Sequence, residues 1–348
     1  MWITSSPLSA KKPTKIALGN FDGVHLGHQL VIEPVVSHGE GAPSLVLADD
    51  MDSRAAAFGY SDLPRAIGVD AGVAPSPASQ DGWASVVTFF PHPKEFFSDC
   101  SRPLLTPLGE KSRQLACLGV DQLVLLPFNA ELASLDATTF VERILIQDLQ
   151  ATHISVGSDF HFGKGRSGNA ELLGAIAAQH SIPVTIVPLK NDRKGRISSS
   201  RIRQALSDGD LAQANQLLGR PYTLSGKVVR GKQLGRTIGF PTANLELPSD
   251  KFIPRRGVYS VKVMGQSSQS GMFGVMNIGN RPTVAGQDIS VEVHLLNWQG
   301  DLYGKTLTVS LESFIRPEQK FESLDALKHQ ILQDCETARR DLAQVAAD

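Results

Sequence analysis

The first part of the chain alternates short apolar runs with longer amphipathic stretches. The apolar runs are of strand length: KIAL (15–18), SVVTF (85–89), QLVLL (122–126), HISV (153–156) and VTIV (184–187). Between them, EKSRQLACLG, ATTFVERILIQDL and NAELLGAIAAQH carry apolar residues at helical spacing. Alternating strands and helices indicate βαβ units and a parallel sheet, in which ligands bind at the carboxyl ends of the strands.

The pattern changes from Pro221 onward, where apolar and polar positions alternate between glycine, asparagine and proline turns. The strand-like segments are YTLSGKVVRG, GVYSVKVMG, GMFGVMNIG, ISVEVHLLN and KTLTVSLESFI. Such alternation favours an antiparallel sheet or a small barrel. The last amphipathic segment, SLDALKHQILQDCETARRDLAQV, predicts a helix that packs against it. We place the domain boundary near Gly219, after a helical connector, which gives domains at 1–218 and 219–348.

Residues 37–82 fit neither pattern. The segment is rich in small residues and has little sustained periodicity. Because long structureless loops are uncommon inside a compact domain, we interpret it as an insertion.

Composition narrows the classes of protein. The chain has 348 residues, 41% of them hydrophobic and 20% charged, and a formal net charge of -1. This length favours two domains, and the charge balance argues against a disordered chain and a strongly basic nucleic-acid binder. Cys100, Cys117 and Cys335 have no metal-ligand spacing, which indicates free thiols in a reducing compartment. The N-terminal segment has no apolar core of signal-peptide length, and no apolar run elsewhere approaches the roughly 18 residues of a membrane span. We therefore expect a cytoplasmic protein.

The segment GNFDGVHLGH (19–28) joins the first predicted strand to a helix. Glycines permit a sharp turn there, and a helix N-terminus attracts phosphate. His25 and His28, at i and i+3, can share one face of the first turn and stabilise charge that develops on a phosphoryl group. Histidines at this spacing also occur on exposed or metal-binding helices, so the pair alone leaves the phosphate site open.

Several motifs in order carry a resemblance to a known family. HLGH resembles the HxGH signature of nucleotidyltransferases, and GNFDGVHLGHQ resembles the adenylyltransferase module of bacterial bifunctional riboflavin kinase/FAD synthetases. TFFPHPKEFF (88–97), FNAELASLDATTFVERIL (128–145), VGSDFHFGKGRSGN (156–169) and ISSSRIRQAL (197–206) agree with the same module. The resemblance implies a Rossmann-like nucleotidyltransferase domain. The family has far fewer residues where this chain has 37–82.

The individual motifs also have physical explanations. ISSSRIR, at a predicted helix start, offers hydroxyls and arginines to a polyphosphate, although for this segment taken alone we favour an N-cap followed by surface arginines. GSDFHFGKGRSGN is a glycine-rich loop that suits a ligand or a plain surface turn.

The resemblance implies flavin or nucleotide contacts at many positions of the first domain. Asp22 is one of these positions, but for it we favour a role in ordering the turn over a ligand contact. The implied contact residues are Gly19, Phe21, Asp22, Gly27, His92, Pro93, Asn129, Asp159, Phe160, Arg166, Ser198, Ser199, Ser200, Arg201 and Arg203.

A second constellation lies in the barrel-like half. In GRTIGFPTANL (235–245), Thr242 and Asn244 are two residues apart on an extended segment and therefore point to the same side, where they can hold magnesium and phosphate oxygens. Ordinary turn residues are the alternative. VEVHLLN (291–297) predicts a strand with Glu292 and His294 on one face, for which a simple exposed face is the alternative.

These segments resemble riboflavin kinases. PTAN matches the family motif for nucleotide phosphate and magnesium, and Glu292 matches the base for the riboflavin 5'-hydroxyl. RGVY (256–259), GVMNIGNRPTV (274–284), DLYGK (301–305) and SFIRPEQKFESLDALKHQI (313–331) agree as well. The implied ligand contacts of this domain are Gly235, Gly239, Thr242, Asn244 and Arg316, with Thr242 and Asn244 as magnesium ligands.

The resemblance therefore implies a bifunctional flavin enzyme that uses ATP and Mg²⁺, phosphorylates riboflavin to FMN and adenylylates FMN to FAD. Riboflavin, FMN and ATP are the expected partners, without nucleic acid or membrane. Three rival functions stay open: a nucleotidyltransferase for another phosphorylated acceptor, a flavin- or nucleotide-binding protein without turnover and, most remotely, a nucleic-acid-binding barrel.

Overall fold

The computed structural model describes residues 1–36, 82–98, 102–231, 234–264, 272–283 and 286–345. Its contacts divide the chain into two units, Met1–Ser199 and Ser200–Asp348. The predicted insertion at 37–82 lies outside the described residues, apart from Gly82. In the part of the chain that is described, no helix is long and apolar enough to cross a bilayer.

The first unit contains short strands and helices in alternation. Its strands are β1 (Trp2–Thr4), β2 (Thr14–Leu18), β3 (Trp83–Phe90), β4 (Gln122–Pro127), β5 (Ala151–Gly157), β6 (His161–Phe162), β7 (Gly168–Asn169), β8 (Val184–Val187), β9 (Asn191–Asp192) and β10 (Gly195–Arg196). Its helices are α1 (Leu26–Ile32), α2 (Pro93–Ser98), α3 (Leu108–Cys117), α4 (Ala130–Ser134), α5 (Ala137–Thr139, continuing as a π-helix over Phe140–Asp148) and α6 (Ala170–Gln179). Single 3₁₀ turns cover Pro7–Ser9, Glu33–Val35 and Lys164–Arg166.

Six strands form one parallel sheet in the order β1-β4-β3-β2-β5-β8. The predicted parallel sheet is therefore confirmed, and each of the five predicted strands is present. From β2 the chain first builds the sheet toward β3 and β4, and later continues on the other side through β5 and β8. The carboxyl ends of β2 and β5 thus border the crevice in which ligands bind in open parallel sheets.

The central strand shows why this sheet is stable. Ile16 and Leu18 point into one apolar cluster and Ala17 into the other, in keeping with the period of a strand. All three are at most 1% exposed. Both faces of the sheet are therefore covered, as is usual for parallel sheets.

The second unit is built on a closed antiparallel barrel. Its strands are β11 (Tyr222–Val229), β12 (Ala243–Glu246), β13 (Gly257–Met264), β14 (Met272–Thr283), β15 (Gly286–Leu295) and β16 (Thr306–Arg316), and their order around the barrel is β11-β12-β15-β14-β13-β16. Its helices are α7 (Ser199–Asp208), which begins at the division between the units, α8 (Leu211–Leu218), α9 (Leu234–Thr237) and α10 (Leu324–Val345). The predicted small barrel is confirmed.

Helix α10 packs on the outside of the barrel, as predicted. Cys335 and Ala338 of the helix are 3% and 0% exposed and join Val258 and Val275 of the barrel in one apolar cluster. Burial also raises the pKa of the Cys335 thiol.

The connector helices α7 and α8 belong with the barrel. The side chain of Asn215 donates to the backbone oxygen of Leu311 at 3.1 Å and accepts from the backbone N–H of Tyr222 at 2.8 Å. The backbone N–H of Arg255 also donates to the backbone oxygen of Leu206 at 2.8 Å. By contacts, the division between the units therefore lies before both helices. The domain boundary at 218/219 stays a prediction.

Candidate active sites

The loop that leaves β2 has an unusual backbone. Phe21, Gly23 and Val24 have positive φ angles of 49°, 93° and 43°. A bulky or β-branched residue in this region is a genuine outlier, and such strain persists only where the surroundings impose it. Phe21 and Val24 are each 1% exposed in the apolar core beneath the loop. Their burial holds the backbone in this shape at the carboxyl edge of the sheet, the edge at which open parallel sheets generally bind ligands.

The two predicted histidines lie together at the start of α1. His25 is the N-cap and not a residue of the first turn, and its Nδ1 accepts the N–H of His28 at 3.2 Å. The two rings are stacked, with 3.6 Å between centroids and 13° between planes. Because Nδ1 accepts a hydrogen bond, a neutral His25 carries its proton on Nε2.

The glycines of this segment allow close approaches. A Cβ on Gly27 would lie 3.2 Å from Cε1 and 3.3 Å from Nδ1 of His25. A Cβ on Gly19 would lie 3.3 Å from the ring of Phe21. Each contact is tighter than usual, so both glycines leave room for a neighbouring ring.

Asp22 is bonded within the loop scaffold. Its Oδ1 accepts the N–H of Thr106 at 3.2 Å, and the Thr106 hydroxyl accepts the N–H of Gly23 at 2.9 Å. The Ser199 hydroxyl donates to the backbone oxygen of Asp22 at 2.7 Å. These contacts agree with the turn-ordering role that we favoured for Asp22. Thr106 was not among the predicted site residues, and the sequence offers no signal that distinguishes it from an ordinary threonine before a helix.

The PHP segment follows β3. His92 Nδ1 accepts the backbone N–H of Lys94 at 3.0 Å, while the backbone N–H of His92 donates to the Glu95 carboxylate at 3.1 Å. Burial lowers the pKa of His92, and the charge of Arg102 lowers it further. Pro93 is the first residue of α2, a position that suits proline.

An aromatic surface lies beside PHP. Phe96 and Phe97 are 39% and 71% exposed, and both make edge contacts with Phe128 at 5.4 and 5.8 Å between centroids. Asn129 follows Phe128 and caps α4 by accepting the N–H of Leu132 at 2.9 Å. The three phenylalanines were not predicted as site residues. Phe96 and Phe97 are adjacent in FFPHPKEFF, but only the structure shows that they are exposed and that Phe128 contacts both.

The loop after β5 contains Asp159, Phe160 and Arg166. The Asp159 carboxylate forms an ion pair with Arg196 of β10, and both side chains are about half exposed. Phe160 stacks on Phe162 at 5.8 Å. Arg166 is exposed and has a positive φ of 60°.

The ISSSRIR segment does begin a helix, because α7 starts at Ser199. Ser198 and Ser199 belong to the first unit and are partly buried. Ser200, Arg201 and Arg203 belong to the second unit, where the Arg203 guanidinium lies 5.8 Å above the ring of Phe252. A role of these three residues toward phosphate stays a prediction.

The barrel brings its predicted residues to one face. Glu292 of β15 pairs with Asn244 of β12 on one side and with Asn277 of β14 on the other. The hydroxyl of Thr242 donates to Oε2 of Glu292 at 3.2 Å. Thr242, Asn244 and Glu292 are all partly buried. Asn277 was not predicted individually, although its segment was, and its polar amide in an apolar strand is the signal that could have found it.

His294 fixes the start of the PTAN segment. Its Nδ1 lies 2.8 Å from the backbone oxygen of Pro241, so this nitrogen carries the proton and donates. The His294 ring also makes an edge contact with Phe240 at 5.5 Å.

Glycines shape the loop that precedes the PTAN segment of the barrel. A Cβ on Gly235 would collide with the backbone oxygen of Phe240 and lie 3.4 Å from the Thr242 hydroxyl oxygen. A Cβ on Gly231 would lie 2.5 Å from the Asn244 amide carbon. Gly239 has a φ of 94°. The loop therefore packs its backbone directly against both polar side chains of PTAN.

Arg316 forms an ion pair with Asp334 of α10. Its Nε and terminal nitrogen donate to the two oxygens of Asp334 at 2.9 and 2.7 Å. The arginine is 17% exposed and the aspartate 3%. This bidentate pair joins β16 to α10, and a ligand contact by Arg316 stays a prediction.

Two family models match the chain. A FAD synthetase model covers residues 8–53 and 74–201, and a riboflavin kinase model covers residues 218–342. Both matches contain the polar clusters just described. The chain belongs to the bifunctional riboflavin kinase/FAD synthetase family. The break in the first match falls inside the predicted insertion.

Curated relatives agree with this family. The Bifunctional riboflavin kinase/FMN adenylyltransferase of Escherichia coli (strain K12) is 39% identical over 93% of this chain and 91% of its own. The protein of that name from Listeria monocytogenes is 34% identical over 95% of this chain and 93% of its own. The family's two parts are therefore both present in this chain.

A solved structure shares the whole architecture. The crystal structure of a protein named Macrolide-efflux Protein, from Streptococcus pneumoniae, superposes with a TM-score of 0.76 at 30% identity. It covers 97% of this chain and 98% of its own. That name describes the other protein, whereas the family models and curated relatives name flavin-converting enzymes.

Proposed function

We propose that the second unit phosphorylates riboflavin with ATP to give FMN, and that the first unit adenylylates FMN to give FAD. The relatives' names support both activities, as do the two family models. For the kinase, the observation that carries the proposal is the contact between Thr242 and Glu292. For the adenylyltransferase, it is the stacked His25 and His28 on a strained loop at the crevice of the sheet.

In the kinase reaction, Glu292 acts as the base for the riboflavin 5'-hydroxyl. As the hydroxyl oxygen attacks the γ-phosphorus of ATP, its proton passes to the Glu292 carboxylate and ADP leaves. The hydrogen bond from Thr242 orients this carboxylate, and the amides of Asn244 and Asn277 flank it. Phosphoryl transfer depends chiefly on such positioning and on charge stabilisation.

Magnesium fits the same cluster. The described residues contain no group of three or more His, Cys, Asp or Glu side chains that would form a protein-only metal site. Thr242 and Asn244 instead supply neutral oxygen donors, which suit Mg²⁺ when it is shared with substrate phosphates. We assign them to this ion, which would neutralise charge on the phosphates of ATP.

In the adenylyl transfer, a phosphate oxygen of FMN attacks the α-phosphorus of ATP in line and pyrophosphate leaves. No enzyme nucleophile is required. The cap bond assigns the proton of a neutral His25 to Nε2, which makes this nitrogen a hydrogen-bond donor, and the ring of His28 stacks on the ring of His25. Both rings then stabilise the charge that develops on the phosphoryl group.

The surface of Phe96, Phe97 and Phe128 suits the flavin ring. Phe96 and Phe97 are exposed, Phe128 directly precedes Asn129, and all three follow the carboxyl ends of β3 and β4, the edge at which open parallel sheets bind ligands. Flat conjugated rings stack favourably on such groups. We assign the isoalloxazine ring of FMN to it during adenylyl transfer.

The test is to incubate the purified protein with riboflavin, ATP and Mg²⁺ and to separate FMN and FAD by chromatography. Both products should form, and FMN should be converted to FAD when it is supplied directly. Absence of both products in oxidised and reduced buffer would overturn the proposal in favour of a binding protein without turnover. FMN formation without FAD would point to another phosphorylated acceptor for the first unit.

A further inference from the structure

A buried lysine lies under the histidine loop. Lys111, on the first turn of α3, is only 9% exposed. Its ammonium nitrogen donates to the backbone oxygen of Asn20 at 3.0 Å. Lysine is almost never buried without a partner, because removing its charge from water is costly. Neither the motifs nor the proposed reactions account for this residue.

The backbone oxygen of Asn20, which accepts this hydrogen bond, lies at the start of the histidine loop. Asn20 lies directly before Phe21, where the strained stretch of positive φ angles begins. The same backbone oxygen also accepts the hydroxyl of Thr88 at 3.2 Å, and Thr88 is 2% exposed. Two buried donors from different elements therefore converge on one carbonyl at the point where the backbone turns toward His25.

The surroundings connect Lys111 to both motif loops. Burial lowers the pKa of Lys111, and the negative charge of Asp22 opposes that shift. The charge of Lys111 also contributes to lowering the pKa of His92. The lysine thus lies within electrostatic reach of the histidine loop and of the PHP segment.

We propose that Lys111 is a positioning residue for adenylyl transfer, which fixes the Asn20 carbonyl from beneath and so holds the loop that presents His25 and His28 to the reacting phosphates. The inference rests on the proposed adenylyltransferase activity of the first unit. It assigns to Lys111 no contact with substrate: the lysine acts through the backbone of residues 20–25. A displacement of about 1 Å in catalytic groups lowers rates by about 100-fold, so the contact matters for rate more than for binding.

The experiment measures FAD formation from supplied FMN, ATP and Mg²⁺ for wild type and Lys111→Met. Methionine keeps much of the side-chain length but removes the donor and the charge. We expect kcat to fall by about 100-fold, with KM for ATP and FMN nearly unchanged. FMN formation from riboflavin by the same preparation should stay at the wild-type level, which reports that the second unit is folded. Lys194→Met, at an exposed turn of the first unit, is the matched control.

A double-mutant cycle separates positioning from a purely structural role. If Lys111 acts through the histidines, Lys111→Met should have little further effect on kcat in a His28→Ala background. Independent, multiplicative losses would overturn the proposal, as would a rise in KM without a fall in kcat, which would indicate direct ligand binding.

Thr88→Val tests the same carbonyl if Lys111→Met does not fold. It removes the second donor with almost no change in volume, and kcat for FAD formation should fall by about tenfold. An unchanged kcat in Thr88→Val would contradict the inference. Wild-type protein that forms no FAD would instead refute the proposed adenylyltransferase activity, so the two failures are distinguishable.

Discussion

The hydroxyl of Thr242 donates a hydrogen bond to the carboxylate of Glu292 across 3.2 Å, although 50 residues separate them in the chain. The contact exists because β12 and β15 are antiparallel neighbours, with Asn244 opposite Glu292. On such a ladder, residues directly opposite and diagonal to one another share a face. The barrel thereby brings a phosphate-binding motif and a base together.

We predict that Glu292→Gln nearly abolishes FMN formation, because glutamine cannot accept the proton of the riboflavin hydroxyl. The loss in kcat should be about 100-fold or more. FAD formation from supplied FMN should persist, since that reaction belongs to the first unit. Product chromatography measures both, and a variant that is folded yet has lost both activities would contradict the assignment of two separate sites.

Thr242→Val should lower riboflavin kinase activity as well. Valine has nearly the same shape but leaves Glu292 without this donor and removes an oxygen that we assign to magnesium. We expect kcat/KM to fall by about 10-fold or more, together with a higher Mg²⁺ requirement in a titration. Thr242→Ser keeps the hydroxyl and serves as the control. Equal activity of the valine and serine variants would show that the hydroxyl has no role.

Replacement of both His25 and His28 by alanine should produce the opposite pattern. FAD formation should fall by about 100-fold or more, because the donors for the developing phosphoryl charge are lost, while FMN formation from riboflavin continues. Loss of the His25 cap should also lower the free energy of unfolding of the first unit by about 1 kcal/mol. His25→Asn is the useful comparison, because asparagine restores the cap without the imidazole. Its stability should recover and its FAD formation should not.

Five of the six strands of the sheet could be predicted from sequence because each contains a short, mainly apolar run of strand length. β1 (Trp2–Thr4) could not, since three residues are too few to show a period, and its pairing with Gln122–Val124 is set by the rest of the sheet. The same holds for the two-residue strands β6, β7, β9 and β10. Such elements follow from tertiary contacts and not from local preference.

The site was predictable to the extent that its residues lie within one motif. The roles of His25 and Gly27 depend on neighbours within three positions, so GVHLGH carries the information. Thr106 and Lys111 lie more than 80 residues away along the chain from their bonding partners in the loop. Nothing in the local pattern of TPLGEK distinguishes a buried lysine from the usual exposed one.

Gly27→Ala should impair adenylyl transfer by disturbing a neighbouring ring. The added Cβ would lie 3.2 Å from the His25 ring, so that His25 must shift by a few tenths of an ångström. We expect kcat for FAD formation to fall by about 10-fold, with kinase activity unchanged. The control is Gly174→Ala in α6, where a Cβ meets nothing within 4 Å. That change should leave both activities intact and stabilise the first unit by up to about 1 kcal/mol in urea unfolding.

Asp334→Ala should destabilise the second unit. The aspartate side chain is 3% exposed and accepts hydrogen bonds from Nε and a terminal nitrogen of Arg316, so its loss leaves a largely buried charge without its carboxylate. Removing one partner of such a pair costs about 3–5 kcal/mol of stability. The measurement is the denaturant midpoint for unfolding of the second unit, which should fall.

Arg316→Met separates this structural role from the predicted ligand contact. In an Asp334→Ala background, it should cost much less stability than it does alone, because the unpaired charge disappears with it. If Arg316 also contacts a substrate, the double variant should keep its stability relative to Asp334→Ala but show a raised KM for riboflavin or ATP. A KM equal to that of Asp334→Ala would leave Arg316 with the structural role alone, as the joint between β16 and α10.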